Sequence, residues 1–192
     1  MASKTFSKMM ILGLLAGGLF VSSGAAKAQT TTVPVQNPWA VKIGALFPTN
    51  SSGSRNGGSA QLSVGADYSF EKTTAENPTI PEVYFDYNGG SRNGGHVDTY
   101  ALGIGLRAYG NHPAGANQQG VSPYVGLGIG AYYTDLKNGT TGRSGTSTDI
   151  GGKIFAGLDF TSNWFAEVNY QFIPSHDGVN PSGIGLQVGA RF

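Results

Sequence analysis

Three histidines, His96, His112 and His176, are the side chains best placed by their chemistry to move protons or bind metal near neutral pH. Only His176 has a hydroxyl and a carboxylate beside it, in Ser175-His176-Asp177. A hydrolytic relay needs those groups to converge in space, and consecutive loop residues point their side chains apart. His96 and Asp98 would share one face of a strand, but two ligands make a poor metal site. Cysteine is absent, which removes thiolate chemistry, disulfides and a lipid-modified cysteine. The sequence therefore predicts no catalytic residue, no metal and no cofactor, with the histidines as solvated rim residues.

The charged side chains are more informative. Lys42, Arg107, Lys153 and Arg191 stand opposite Asp67, Asp86, Asp159 and Glu167 in number, and each falls in a segment where apolar and polar residues alternate. Unpaired charge in a confined interior is costly, so equal numbers predict mutual pairing in an enclosed space. The expected pairs are Lys42 with Asp67 and Asp86 with Arg107, each within one hairpin.

The alternation itself defines the elements that must hold these groups. Leu62, Val64, Ala66, Tyr68 and Phe70 interleave with Gln61, Ser63, Gly65, Asp67 and Ser69, the period of two that marks a strand with unlike faces. Seven other segments repeat it, centred on Ile43, Phe85, Ile104, Ile129, Ala156, Val168 and Val188. Their lengths, roughly 7 to 11 residues, suit a tilted membrane strand. Charged residues make up only 12% of the chain, about half the share usual in a soluble domain. The apolar face thus suits hydrocarbon better than a core. The predicted fold is all-β: a membrane-spanning, antiparallel, up-and-down barrel of about eight strands over 39–192, since lipid tolerates no open sheet edge. Aromatic residues near segment ends, among them Trp39, Tyr68, Tyr133, Trp164 and Phe172, would form its interfacial girdles.

The first 28 residues differ in kind. Lys4 and Lys8 precede an apolar run from Met9 to Val21, and Ala26-Lys27-Ala28 follows. That run is too short for a membrane helix, which takes roughly 20 residues, and the pattern reads as a cleaved signal peptide over 1–28, cut between Ala28 and Gln29. Residues 29–38 then form a periplasmic N-terminal segment. Losing Lys4, Lys8 and Lys27 from the twelve basic residues leaves nine against eleven acidic ones, so nothing points to nucleic acid.

Glycine is frequent, 31 of 192 residues, and Gly103, Gly105, Gly126, Gly128 and Gly130 lie on the polar face. They make room for large inward residues such as Tyr124, Tyr132 and Phe155. With both ends periplasmic, the external links are Pro48 to Ser59, Asn88 to His96, Asp135 to Asp149 and Pro174 to Ser182. The opposite links Glu71 to Ile80 and Gly110 to Ser122 are longer than usual, while Thr161-Ser162-Asn163 is a tight turn. Ser54-Arg55-Asn56-Gly57-Gly58 recurs as Ser91-Arg92-Asn93-Gly94-Gly95 in two external links. Arg55 and Arg92, with Arg143, could meet lipopolysaccharide phosphates or a surface partner.

Three stretches, Pro123 to Gly130, Asn163 to Tyr170 and the ending Ile184, Leu186, Val188 and Phe192, resemble the small eight-stranded outer-membrane barrels of the protein X, protein W and protein A transmembrane-domain type. The resemblance implies a bacterial outer-membrane location, with outer-membrane lipid and lipopolysaccharide around the barrel. It also implies that Ile184, Leu186, Val188 and Phe192 form the signal read by the barrel-assembly machinery after delivery by periplasmic chaperones. No peptidoglycan-binding domain follows in this sequence, so an anchoring role is not implied. The function expected is a structural or surface-interaction role through polar loops, with a narrow or gated porin-like path for small solutes as the alternative.

Overall fold

The computed structural model describes residues 37–70, 79–110, 121–160 and 163–192. The signal peptide with its cleavage point, residues 29–36, His112, Thr161 and Ser162, and most of the two long links expected on the side of the termini lie outside these residues.

Eight strands form: β1 (Trp39–Pro48), β2 (Gln61–Ser69), β3 (Thr79–Arg92), β4 (Gly95–Tyr109), β5 (Ser122–Lys137), β6 (Ser144–Asp159), β7 (Trp164–Phe172) and β8 (Gly183–Arg191), with a short helix α1 (Ser51–Gly57) between β1 and β2. Each strand pairs antiparallel with its neighbour in sequence, and β1 pairs with β8, so the sheet closes into a barrel. At the seam Phe192 N–H donates to the Trp39 carbonyl at 3.0 Å. Closure removes every edge along the spanning height, which is what makes a sheet viable in hydrocarbon.

The alternation resolves as two unlike surfaces. Leu102, Ile104, Leu127 and Ile129 point outward and are 56 to 63% exposed, while their even-odd complements face the interior. Around the outside, Trp39 packs at a tilt against Tyr68 and Tyr68 meets Phe70 edge to face near the start of β1 and the end of β2, and Tyr87, Tyr100 and Tyr133 form a row toward the other end. Amphipathic rings at both ends of an apolar band are the girdles of a membrane barrel.

Two external links are shorter than the sequence predicts, because β3 to β6 continue through them. Asn88 to Arg92 belongs to β3, and only Asn93 and Gly94 turn the chain; both have positive φ, 52° and 75°. That is the Asn-Gly turn whose twist matches a hairpin. Likewise Asp135 to Lys137 and Ser144 to Asp149 are strand, leaving 138–143 as the turn. β3 to β6 have 14 to 16 residues each against 9 or 10 in the other four. One half of the barrel wall therefore rises above the other at the end away from the termini.

Candidate functional site: the lumen and its covered mouth

The inward side chains form a layered filling. Nearest the termini, Ala40, Ile80, Tyr109, Tyr124, Phe155 and Phe165 make an apolar cluster. Arg191 pairs with Asp159 at 3.3 Å beside it, and Tyr109 donates its hydroxyl to the same carboxylate at 2.9 Å.

Above lies a chain of charges drawn from six strands. Lys42 Nζ lies 3.1 Å from Asp67, 3.3 Å from Glu167 and 3.6 Å from Asp86. Lys153 takes the other oxygen of Asp86 at 2.9 Å and stands 3.7 Å over the Tyr84 ring. Arg107, fully buried, pairs with Glu82 at 2.7 Å and Asp67 at 3.4 Å. The expected Lys42–Asp67 contact is present. The expected Asp86–Arg107 pair is replaced: Asp86 goes to the two lysines, and Arg107 to Glu82 and Asp67. Register explains the exchange, since Ala101, not Arg107, stands opposite Asp86 in the β3–β4 ladder.

Glu82 is the residue that sequence reasoning missed. It sits one position before the alternation read from Val83, with the same parity as Tyr84 and Asp86, so extending that strand backward would have found it. With it, five buried carboxylates face four buried cations. The ionic contacts do not use every atom, for both Glu82 oxygens and Arg107 Nε and Nη1 lack hydrogen-bond geometry.

A neutral layer follows, built mostly from side chains that the alternation places on the polar face but whose linkage the sequence does not show. Asn169 donates to Gln187 at 2.9 Å, Gln187 to Ser63 at 2.8 Å, Ser63 to Asn88 at 2.7 Å and Asn88 to Gln171 at 2.9 Å. This relay crosses from β8 to β2 over β1, where Gly44 is the register partner of both Gln187 and Ser63. A Cβ at Gly44 would collide with the Leu186 carbonyl and Gln187 Cα. We expect Gly44→Ala to lower stability by about 1 to 3 kcal/mol through overpacking, measured as a fall in the urea midpoint of the refolded barrel; an unchanged midpoint would show that the strands part freely there.

The glycines serve large inward side chains as expected, with partners now assigned. Gly103, Gly128 and Gly130 accommodate the Tyr84 ring, Gly126 that of Phe155, Gly151 that of Tyr132 and Gly157 that of Tyr124.

At the far end α1 covers the mouth and is tied to all three other links there. Asn56 accepts from Gly139 N–H at 3.0 Å, Asn93 donates to the Arg55 carbonyl at 3.4 Å, and Ser52 accepts from Asn180 N–H at 3.1 Å. Beneath it Val97, Leu136 and Val179 form a small apolar cluster. The two Ser-Arg-Asn-Gly-Gly copies thus touch, one as helix and one as hairpin turn, with Arg55, Arg92 and Arg143 exposed.

His96 and Asp98 stand at alternate positions of β4, as expected, and take separate partners, whereas the expectation for His176 changes. His96 contacts Asp135 at 3.5 Å, whereas Asp98 accepts from the Tyr87 hydroxyl at 2.8 Å. His176 and Asp177 do meet, at 3.4 Å, because Asp177 adopts φ of 48° in a tight turn. Among the described residues no group of three or more ligating side chains is placed to hold a metal.

An apolar exterior of strands, two aromatic girdles and a polar, internally paired lumen define a transmembrane β-barrel of the bacterial outer membrane. The sequence model described as "Outer membrane protein beta-barrel domain" matches residues 13–192, and the chain belongs to that family. No curated protein matches it in sequence. Among solved structures it is similar to Neisserial surface protein A, with 17% identity, 85% of this chain and 98% of that one covered, and a TM-score of 0.60. It also aligns with the N-terminal β-barrel domain of Pseudomonas aeruginosa OprF, at 17% identity, 85% and 100% coverage and a TM-score of 0.49. The attachment invasion locus protein Ail of Yersinia pestis aligns at 18% identity, 81% and 99% coverage and a TM-score of 0.45.

Proposed function

We propose that this is a structural or surface-interaction protein of the outer membrane, non-enzymatic, acting through the links at the far end of the barrel and through its contact with lipid. The carrying observation is the filled lumen beneath a covered mouth: three interior layers of buried side chains with α1 fastened across them. A narrow or gated path for small solutes would need the charge chain to part and α1 to lift, and the contacts described above oppose both.

In this reading the far end faces outward, and Arg55, Arg92 and Arg143 meet lipopolysaccharide phosphates. Ile184, Leu186, Val188 and Phe192 point outward on β8 and its end, where the barrel-assembly machinery could read them after periplasmic chaperones and signal-peptide cleavage at Gln29. The test is electrical. Refolded protein in planar bilayers is expected to give no unitary current steps, and to give none after Arg55→Ala, Arg92→Ala and Arg143→Ala combined, which should instead weaken retention by lipopolysaccharide. Regular steps from the unaltered protein would overturn the reading in favour of a pore.

A further inference from the structure

Asparagine followed by glycine occurs four times, at Asn56-Gly57, Asn88-Gly89, Asn93-Gly94 and Asn138-Gly139. The pair is chemically labile, because a glycine nitrogen has no Cβ beside it as a shield and can attack the asparagine side-chain carbonyl carbon. That attack needs a carboxamide free to rotate and a backbone N–H free of any strong partner. The fold meets these conditions very unequally at the four sites.

Three of the pairs are held. Asn56 is buried in α1, donates to the Ser52 carbonyl at 2.8 Å and accepts from Gly139 N–H at 3.0 Å. Asn88 is buried in the neutral lumen layer, accepting from Ser63 at 2.7 Å and donating to Gln171 at 2.9 Å. Asn138 is partly exposed, but its Oδ1 accepts from the N–H groups of Thr140 and Thr141 at 3.0 and 3.2 Å. The nitrogen that would attack it, that of Gly139, is the one bonded to Asn56.

Asn93 differs in each respect. It is exposed, its Oδ1 accepts nothing among the described residues, and its side chain makes one long bond, 3.4 Å from Nδ2 to the Arg55 carbonyl. Gly94 is exposed at the tip of the two-residue turn. Its N–H bonds no backbone carbonyl among the described residues, and the space that a Cβ would fill there is empty to 4 Å. Water reaches both residues.

We propose that Asn93 is a site of spontaneous deamidation, and that the carboxylate formed there releases α1 from the β3–β4 turn. The Gly94 nitrogen bonds to Asn93 Cγ and gives up its proton, while the Cγ–Nδ2 bond breaks and ammonia leaves. Water then opens the imide ring at either carbonyl carbon. Opening at Cγ restores the ordinary main chain with an aspartate; opening at the main-chain carbonyl gives an isoaspartate, whose backbone is one methylene longer. Either product loses the Nδ2 donor and sets a carboxylate oxygen against the Arg55 carbonyl, acceptor against acceptor, so the tie becomes a repulsion. The longer backbone also misfits a two-residue turn that closes directly on the Arg92↔Gly95 pair. In the same step a negative charge appears beside Arg92 and the backbone of Arg55, so the rim becomes a weaker anion site with age; that consequence rests on the surface-interaction reading.

The test ages the full barrel, refolded in nanodiscs, in mildly alkaline buffer and follows every Asn-Gly pair by peptide mass mapping with detection of isoaspartate. Asn93 is expected to convert at least about tenfold faster than Asn56, Asn88 or Asn138, since each of those must first break two or more hydrogen bonds. In the urea-unfolded chain all the pairs should convert at similar rates, which assigns the selectivity to the fold. Asn93→Asp carries the product side chain from the start. It should speed exchange of the Gly58 amide, bonded to the Ser54 carbonyl at the end of α1, by about fivefold, the equivalent of one lost hydrogen bond. Asn93→Gln, whose longer side chain closes a ring far less readily, should not convert. Conversion at Asn138 in the folded barrel as fast as at Asn93, conversion at Asn93 no faster than at the buried pairs, or an unchanged Gly58 amide in Asn93→Asp would each overturn the proposal. Retention by lipopolysaccharide forms a separate arm: if Asn93→Asp loosens α1 yet is retained as firmly as the unaltered protein, the arginine reading fails and the deamidation site stands.

Discussion

Arg107→Met should destabilise the folded barrel by about 3 to 5 kcal/mol, the cost of leaving a buried charge without its partner. The side chain is fully buried and joins Glu82 at 2.7 Å to Asp67 at 3.4 Å, so its removal strands Glu82 outright. Asp67 keeps Lys42. Adding Glu82→Gln removes the stranded carboxylate and should recover part of the loss, giving a favourable coupling in a double-mutant cycle. Urea unfolding in lipid vesicles measures all three variants. Strict additivity of the single effects would show that the two groups do not act as a pair.

Leu127→Arg is expected to cost about 2 to 4 kcal/mol, because a cation at mid-bilayer must leave water without a partner. Leu127 faces outward on β5, 58% exposed, with Leu106 and Ile154 as its register partners on either side. Thr140→Arg in the β5–β6 turn adds the same side chain in an exposed position and should change stability little. Equal effects of the two substitutions would mean that the outer face of β5 does not meet hydrocarbon.

The spanning parts of the strands were legible because lipid on one side and a packed polar lumen on the other force a strict period of two. The upper parts of β3 to β6 were not, since beyond the membrane both faces meet water and the alternation lapses: Ser144 to Asp149 offers no apolar face to read. The repeated Ser-Arg-Asn-Gly-Gly shows the limit of local sequence most directly. Asn93-Gly94 carries the hairpin signal and obeys it, whereas Asn56-Gly57 ends a helix because Asn56 bonds Gly139 and Ser52. Which charges would be interior could be read from parity, and their pairing could not. Partners are set by how strands are staggered, so Asp86 reaches Lys153, 67 positions away, sooner than the Arg107 of its own hairpin.

The seam between β1 and β8 has a kinetic consequence. Its ladder joins residues as far apart as Ala40 and Arg191, the greatest loop-closure entropy of any contact in the barrel. All seven other ladders can form between consecutive strands, so this one is the slow topological step. Until it forms, β1 and β8 each present a row of unpaired amides that hydrocarbon cannot solvate. A partly zipped sheet is therefore excluded from the bilayer interior, and insertion is coupled to cyclisation of the whole strand set. Lengthening the links between strands should leave the finished barrel nearly as stable while slowing its formation, whereas joining β8 to β1 through a covalent linker should speed it.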